Sequence, residues 1–289
     1  MSSLTEEIKQ SYGSIATEVS QTCASGSSTC CKSPGPNKGA ITRELYSTSE
    51  ASYLPKKAVQ ASLGCGNPTA TVEILPGQRV LDLGCGNQSF AITLIIGGGI
   101  DCLLSAKLVG PTGKVYGLDM TEEMILLARK NAEDASVTNV EFLLGSIDSI
   151  PLPDDSIDVI ISNCVINLAT DKDIVLLETY RVLKKGGKLA VSDIIFLKEP
   201  AKSVRKNQQL WAACIAGALT VEEYKNKLHH AGFSMTTIEQ VRLYSDSDVY
   251  SLTPRKLMRS RSKKCRMGME DVARHRKDSS KFKIWLEML

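Results

Sequence analysis

A glycine-rich turn after an apolar stretch is the first feature of this 289-residue sequence whose residue types could bind a ligand. Residues 80–86 read VLDLGCG, and Gly84 and Gly86 carry no side chain, so the backbone there can approach a bound molecule closely. A second apolar stretch, residues 115–118, ends at Asp119, a carboxylate placed as in folds that bind ribose hydroxyl groups. This order of features predicts a site for a nucleotide-like cofactor.

Nine cysteines are the second feature, at positions 23, 30, 31, 65, 85, 102, 164, 214 and 265. They are too few for a disulfide scaffold, and their spacing lacks the paired clusters of a zinc ribbon. The first eleven residues lack the apolar run of a signal peptide, and no apolar stretch reaches the ~18 residues of a membrane helix. We therefore expect a cytoplasmic protein with no membrane association. Its cysteines are expected to be buried small hydrophobes, metal or metalloid ligands, or redox catalysts rather than structural bridges.

Alternating strand-like and helix-like stretches must position these residues. The sequence predicts strands at 79–83, 114–118, 140–144, 157–161 and 188–192, and helices at 100–108, 122–135, 172–183 and 221–228. Thr121 and Asp171 stand where helix N-caps are expected. Such alternation builds an α/β fold, a doubly wound Rossmann-like parallel sheet, and ligands bind at the carboxyl edge of such sheets.

The charge is unevenly distributed along the chain. Residues 254–289 contain twelve Lys and Arg against four Asp and Glu, so the rest of the chain is mildly acidic. No aromatic residue interleaves the basic run 259–266. We therefore interpret this segment as a solvated basic tail and expect no nucleic-acid partner.

The pattern D-x-G-x-G at 82–86 resembles the hallmark of class I S-adenosylmethionine methyltransferases. The strings GSIDSIP at 145–151 and YRVLKKGG at 180–187 look like later motifs of that superfamily. The resemblance implies S-adenosylmethionine as co-substrate, with Asp119 on the ribose hydroxyls; alternatively, Asp119 only caps the helix that follows. The implied cofactor-binding set is Asp82, Gly84, Cys85, Gly86, Asp119, Met120, Ser146, Ile147 and Asn163.

The spacing within this site departs from the pattern. Gly84 and Asp119 are 35 positions apart, whereas about 20 is usual for such a turn and its acid. Leaving out residues 87–97 would reduce the separation to 24 and restore an ordinary turn and helix. We hypothesise that 87–97 is an insertion in the turn, present in the protein or introduced by a gene-model error.

Three cysteine-containing strings closely resemble the arsenite methyltransferases: LGCGNP at 63–68, SNCVINL at 162–168 and WAACIAGAL at 211–219. The resemblance extends from Tyr12 to about Leu243. It implies that arsenic(III) is bound by cysteine thiols, the Cys164–Cys214 pair most directly. The implied catalytic and ligand set is Cys65, Cys164 and Cys214, with a fourth cysteine, Cys30 or preferably Cys31, in the N-terminal segment.

The chemistry of arsenic independently favours thiols, because soft sulfur ligands suit a soft centre. Three thiolates leave the arsenic lone pair free to attack the sulfonium methyl group, so positioning and exclusion of water suffice and no general base is needed. The resemblance implies arsenite or its thiol conjugates as substrate. It also implies an enzyme disulfide that thioredoxin or glutathione reduces.

The resemblance also suggests a division of the chain and leaves two alternatives open. The predicted regions are an N-terminal helix and flexible cysteine-bearing segment at 1–60, a methyltransferase domain at 61–194, a small α+β acceptor-binding region at 195–253 and the basic tail at 254–289. The alternatives are a methyltransferase for another small acceptor, such as a quinone or sterol ring, and an arsenite-binding protein whose catalysis the insertion impairs.

Overall fold

The computed structural model of the protein describes residues 67–86, 98–212, 214–243 and 279–287, together with Glu6, Lys9 and Gln10. Strands and helices alternate along these residues. The strands are β1 (Arg79–Leu83), β2 (Lys114–Asp119), β3 (Val140–Leu144), β4 (Ile157–Asn163), β5 (Leu183–Phe196), β6 (Met235–Leu243) and β7 (Ser279–Glu287). The helices are α1 (Ile100–Val109), α2 (Glu122–Asp134), α3 (Lys172–Val182), α4 (Lys202–Arg205), α5 (Gln208–Ala212) and α6 (Val221–Ala231).

The strands form one sheet in the order β3-β2-β1-β4-β5-β7-β6. Strands β1 to β5 are parallel to one another, and β7 is antiparallel to both of its neighbours, β5 and β6. The chain moves outward from β1 through β2 to β3 and then returns to the other side of β1 with β4. The strand order therefore reverses between β1 and β4, and the carboxyl ends of these strands flank the crevice where such sheets bind ligands.

Both faces of the central strands are buried, which explains their continuous apolar runs. One face packs with α1 and α2 in a cluster that includes Val80, Cys102 and Ile125. The other face packs with α3 and α6 in a cluster that includes Leu81 and Leu176. The predicted α/β fold is therefore confirmed, and β1 and β3 have the predicted bounds.

Helix caps fix where the connecting loops begin. Asp171 caps α3, because its carboxylate accepts hydrogen bonds from the amides of Asp173 and Ile174 at 3.0 and 3.2 Å. Thr121 is the N-cap residue of α2, but its side chain makes no capping hydrogen bond. The helix expected at 221–228 continues to Ala231. None of the helices in the described ranges is long and apolar enough to cross a bilayer.

The region predicted as a basic tail contains a strand. Residues 279–287 form β7 and lie between β5 and β6 in the sheet. The charge count of residues 254–289 hides a short alternation of lysines with apolar residues, KFKI at 281–284. That period of two is typical of a strand.

Candidate active site

A cleft lies at the carboxyl edge of the sheet, beside the point where the strand order reverses. It encloses about 720 Å³ of empty space, part of it open to solvent. Loops after β1, β2, β3 and β4 form its walls. Its lining residues are Gly84, Asp119, Met120, Thr121, Met124, Gly145, Ser146, Ile147, Asp148, Val165, Leu168, Ala169, Thr170, Asp171 and Val175. The cleft therefore contains the predicted cofactor residues Gly84, Asp119, Met120, Ser146 and Ile147.

The glycine turn is closely packed on this cleft. Gly84 has a φ of +70°, and a Cβ at this position would lie 2.5 Å from a methyl group of Val165. A Cβ on Gly86 would lie 2.4 Å from the Cβ of Met124. The backbone amide of Gly84 donates to the carbonyl of Leu118 at 2.8 Å, which ties the turn to the end of β2. Both glycines are therefore required by space, and Gly84 also by its conformation.

Asp119 joins the turn to the start of α2. Its carboxylate is 6% exposed and accepts hydrogen bonds from the amides of Gly86 at 3.1 Å and Thr121 at 2.9 Å. Burial raises the pKa of Asp119, and hydrogen bonds from backbone amides oppose that rise. The bond to Thr121 matches the helix-capping alternative, while the bond to Gly86 and the place in the cleft match a cofactor role. The two roles are compatible.

Asp82 and Asn163 lie beneath the cleft and are not among its lining residues. The Cys102 thiol donates to Asp82 Oδ2 at 3.2 Å, and Asn163 Nδ2 donates to Asp101 Oδ2 at 3.2 Å. Burial, and then the neighbouring Asp101, raise the pKa of Asp82 well above its ordinary value. These side chains therefore join β1 and β4 to α1. A lone cysteine in an apolar helix ordinarily packs as a small hydrophobe, so the sequence context of Cys102 does not indicate this polar contact.

The Cys85 side chain also points into the core. A Cβ on Gly117 would lie 2.9 Å from Cys85 Sγ and 2.8 Å from Cys102 Sγ. A hydrogen bond with Cys102 lowers the pKa of the Cys85 thiol, but burial and nearby carboxylates outweigh it and raise the pKa to about 11. Cys85 therefore contributes its backbone to the turn, while its thiol stays protonated at neutral pH.

Residues 87–97, the hypothesised insertion, lie outside the described residues, but the chain on either side of them is described. The carbonyl of Cys85 accepts a hydrogen bond from the amide of Gly99 at 2.9 Å. If 87–97 were left out, this bond would join residues three apart, which is the spacing of a β-turn. The two ends of the segment therefore meet in an ordinary turn, as the hypothesis expects.

Cys164 and Cys214 come together on the other side of the cleft wall. They are 50 positions apart in sequence, yet the Cys214 thiol donates to the carbonyl of Cys164 at 3.2 Å, and each residue is 2% exposed. Cys164 is disulfide-bonded, whereas Cys214, Cys85 and Cys102 are free thiols. The disulfide partner of Cys164 therefore lies outside the described residues. The predicted ligands Cys31 and Cys65 also lie outside them.

Both cysteines have a left-handed backbone conformation. Their φ values are +62° for Cys164 and +58° for Cys214, and the other non-glycine residues with positive φ in the described ranges are Ser136 and Asp155. This conformation brings Cβ close to the following carbonyl and costs roughly 1–2 kcal/mol. Strain of this kind is typical of functional sites, where the surrounding structure imposes it.

The cysteine pair and the cleft share apolar side chains. Cys164 and Cys214 belong to a buried cluster with Met124 and Leu168, against which the partly buried Met120 packs. Met120, Met124 and Leu168 also line the cleft. Burial raises the pKa of the Cys214 thiol well above its ordinary value. Within the described residues, no group of three or more His, Cys, Asp or Glu could hold a metal ion.

The comparisons with known proteins agree with this geometry. Residues 74–232 match the family described as methyltransferase domain. An arsenite methyltransferase of Halobacterium salinarum is 38% identical over 253 residues, which are 84% of this chain and 61% of that protein. The human arsenite methyltransferase is 36% identical over 179 residues, which are 59% of this chain and 44% of that protein. This chain therefore spans less than two thirds of the length of either relative.

A solved structure is also similar. The crystal structure of an arsenic(III) S-adenosylmethionine methyltransferase from Chlamydomonas reinhardtii matches with a TM-score of 0.62 and 29% identity. The match covers 83% of this chain and 72% of that one.

Proposed function

This chain belongs to the methyltransferase domain family, and from that membership we propose that it methylates trivalent arsenic bound to its own cysteine thiolates. The observation that carries the proposal is the contact between the Cys214 thiol and the Cys164 carbonyl beside the cleft. Resemblance to arsenite methyltransferases gave these two cysteines as the pair that binds arsenic most directly, and the two lie together.

The cleft suits S-adenosylmethionine. The glycine turn packs so closely against Val165 and Met124 that a Cβ would collide with them, and the backbone of Gly84 is left facing the cleft. Asp119 lies at the end of β2, where a carboxylate can bind ribose hydroxyls. Ser146 and Ile147 line the same cleft, where they would flank the adenine. When bound, S-adenosylmethionine supplies an electrophilic sulfonium methyl group.

The cysteines position the acceptor. As(III) favours thiolate sulfur, and Cys164 and Cys214, completed by Cys65, would hold it in a pyramid whose lone pair is free. The lone pair forms the new As–C bond, so no proton has to be removed in that step. Met120, Met124 and Leu168 separate the thiols from solvent and border the cleft, which keeps water out of the reaction. Positioning and desolvation therefore account for catalysis.

The cycle also needs a reductant. Methylation formally oxidises the arsenic, and two enzyme thiols return the electrons by forming a disulfide. The disulfide bond of Cys164 has to be reduced before this residue can bind arsenic. Thioredoxin or glutathione would reduce it by thiol–disulfide exchange, with Cys31 as the exchanging cysteine of the N-terminal segment.

The test is to incubate the reduced protein with arsenite and S-adenosylmethionine and to separate arsenic species by chromatography with mass detection. Methylated arsenicals are expected from the wild type and from the control variant Cys265→Ser. Cys164→Ser and Cys214→Ser are expected to lose arsenite binding and methylation while S-adenosylmethionine binding stays unchanged. A folded sample that binds S-adenosylmethionine but gives no product would overturn the proposal. Arsenite binding without S-adenosylmethionine binding would identify the impaired arsenite-binding protein instead.

A further inference from the structure

Lys172 is a buried lysine near the cysteine pair, and the proposed reaction does not use it. It is 7% exposed at the first position of α3, and none of the ion pairs among the described residues includes it. Lysine is seldom buried without a partner. The first turn of a helix is also the positive end of its dipole, so a cation gains nothing there. Burial lowers the pKa of Lys172 to about 8, and the nearby charge of Asp193 opposes that change. Direct contacts of the ammonium group are needed as well to explain why the side chain is buried.

The contacts of Lys172 supply that explanation. Its Nζ donates to the carbonyl of Ala169 at 2.8 Å and to that of Asn167 at 3.4 Å. Both carbonyls belong to residues 165–169, the segment that directly follows Cys164 and that we call the acceptor turn. The ammonium group therefore holds this turn from the α3 side.

Trp211 also holds the acceptor turn. Its indole Nε1 donates to the carbonyl of Leu168 at 3.1 Å, and its ring centroid is 5.3 Å from the Nζ of Lys172. That distance is typical of a cation–π contact. Lys172 and Trp211 therefore bind three consecutive carbonyls of the acceptor turn and also contact each other.

Trp211 is linked in turn to the second cysteine. The amide of Cys214 donates to the carbonyl of Trp211 at 2.8 Å. A Cβ on Gly217 would lie 2.0 Å from the carbonyl oxygen of Asn167, so the chain after Cys214 rests directly on the acceptor turn. The segments that carry the two cysteines are therefore joined through one set of contacts.

We propose that Lys172 and Trp211 form a clamp that sets the separation of the Cys164 and Cys214 thiols, with Lys172 as a positioning residue for arsenite methylation. This role rests on the proposed function. The clamp itself makes a claim about the two thiols that can be measured without arsenic.

The experiment compares Lys172→Met, Lys172→Arg and the control Lys227→Met in reduced protein. Lys227, in α6, suits the control because its ammonium group pairs at 2.6 Å with Asp173, the residue that follows Lys172 in α3. Three readouts are needed: calorimetric binding of S-adenosylmethionine, kcat/KM for arsenite, and cross-linking of Cys164 to Cys214 by dibromobimane, counted by peptide mass spectrometry.

Lys172→Met is expected to lower kcat/KM for arsenite roughly 10- to 100-fold, because small errors in placement are costly. Cross-linking should fall in parallel, and the dissociation constant of S-adenosylmethionine should stay within about twofold. Lys172→Arg should retain most of the wild-type kcat/KM and most of the cross-linking, because a guanidinium also donates several hydrogen bonds and stacks on aromatic rings. Lys227→Met should behave as the wild type.

Normal cross-linking and kinetics in Lys172→Met would overturn the clamp, as would a parallel loss of S-adenosylmethionine binding. Should Lys172→Met fail to fold, Trp211→Phe tests the same claim, because it keeps a ring and removes the bond to Leu168. It should reduce cross-linking, and unchanged cross-linking would refute the clamp. If the wild type cross-links but does not methylate arsenite, the proposed function fails while the variants still decide the clamp.

Discussion

We call the surroundings of Gly84 and Asp119 the donor region and the surroundings of Cys164 and Cys214 the acceptor region. The two regions differ in which residue types adopt a left-handed backbone conformation. Both need a left-handed residue. In the donor region this residue is Gly84, with a φ of +70°. A left-handed conformation costs a glycine little free energy. In the acceptor region these residues are Cys164 and Cys214. A cysteine in that conformation is strained, and this strain supports the proposed role of its sulfur atom.

The two regions also treat buried carboxylates differently. In the donor region, Asp119 accepts hydrogen bonds from two backbone amides. In the acceptor region, Asp193 is fully buried and accepts one bond, from the Tyr224 hydroxyl at 3.0 Å, while its Oδ1 has no hydrogen-bond partner. Burial raises the pKa of Asp193 to about 7. Burial therefore raises the pKa of both carboxyl groups, and different groups oppose the rise: backbone amides at Asp119, and the Tyr224 hydroxyl and the charge of Lys172 at Asp193.

Asp119→Ala tests whether the two regions work separately. We expect it to weaken S-adenosylmethionine binding roughly 10- to 100-fold, because hydrogen bonds to charged groups contribute about 1.5–3 kcal/mol. Arsenite binding should be unchanged, because the cysteine pair makes no contact with this carboxylate among the described hydrogen bonds. Calorimetric titration with each ligand measures both. Asp134→Ala, an exposed acid at the end of α2, is the control, and a loss of arsenite binding in Asp119→Ala would contradict the separation.

Asp193 makes the stability of the acceptor region dependent on pH. In the folded protein Asp193 keeps its proton up to about pH 7, whereas its ordinary pKa is 3.8. Between these values the unfolded state has released a proton that the folded state still holds, so stability falls as pH rises. The contribution of this group reaches at most about 1.4 kcal/mol per pH unit.

Asp193→Asn should remove that dependence. Urea unfolding from pH 4 to pH 8 gives the free energy of unfolding of the wild type and of the variant. With rising pH the variant should become more stable relative to the wild type, and the difference should level off above about pH 7. Tyr224→Phe removes the hydrogen bond that stabilises the carboxylate of Asp193. It should therefore raise the pH at which the stability stops falling. A difference that is constant with pH would show that Asp193 titrates normally.

The strain on Cys214 can be measured with a pair of substitutions. Cys214→Gly should be more stable than Cys214→Ala by about 1 kcal/mol, because only alanine pays for the left-handed backbone. Cys102 in α1 is the matched control, since glycine in a helix should be less stable than alanine by roughly 0.5–1 kcal/mol. Urea unfolding of the four variants measures both differences. The same order at both sites would show that Cys214 is not strained.

Much of the donor region could be predicted from the sequence, because its signals are local. The glycine turn, the acid at the end of the second strand and the Asp171 cap each depend on a few adjacent residues, and the structure has them where expected. The acceptor region depends on contacts between distant segments. Resemblance to a family singled out Cys164 and Cys214, but no local pattern indicates their left-handed backbone or their contact across 50 positions.

Other contacts escaped sequence reasoning for the same physical reason. Cys102 reaches Asp82 from a different element, and a lone cysteine in an apolar helix ordinarily packs as a small hydrophobe. A lysine at the start of a helix, such as Lys172 in α3, is expected to be exposed, yet Lys172 contacts the acceptor turn and Trp211. Burial of a polar side chain is a property of the assembled fold, and sequence spacing does not encode it.

Deletion of residues 87–97 is the prediction with the smallest expected effect and the closest link to the donor region. The bond from the Gly99 amide to the Cys85 carbonyl already closes the turn, so the shortened chain should fold and bind S-adenosylmethionine within about threefold of the wild type or more tightly. A variant in which a Gly-Ser sequence of equal length replaces 87–97 separates the effect of length from that of sequence. Calorimetry and urea unfolding of both variants give the answer. If both lose S-adenosylmethionine binding, the segment is part of the donor site and the insertion hypothesis is wrong; if the deletion binds more tightly than the replacement, a continuous turn is what the cofactor requires.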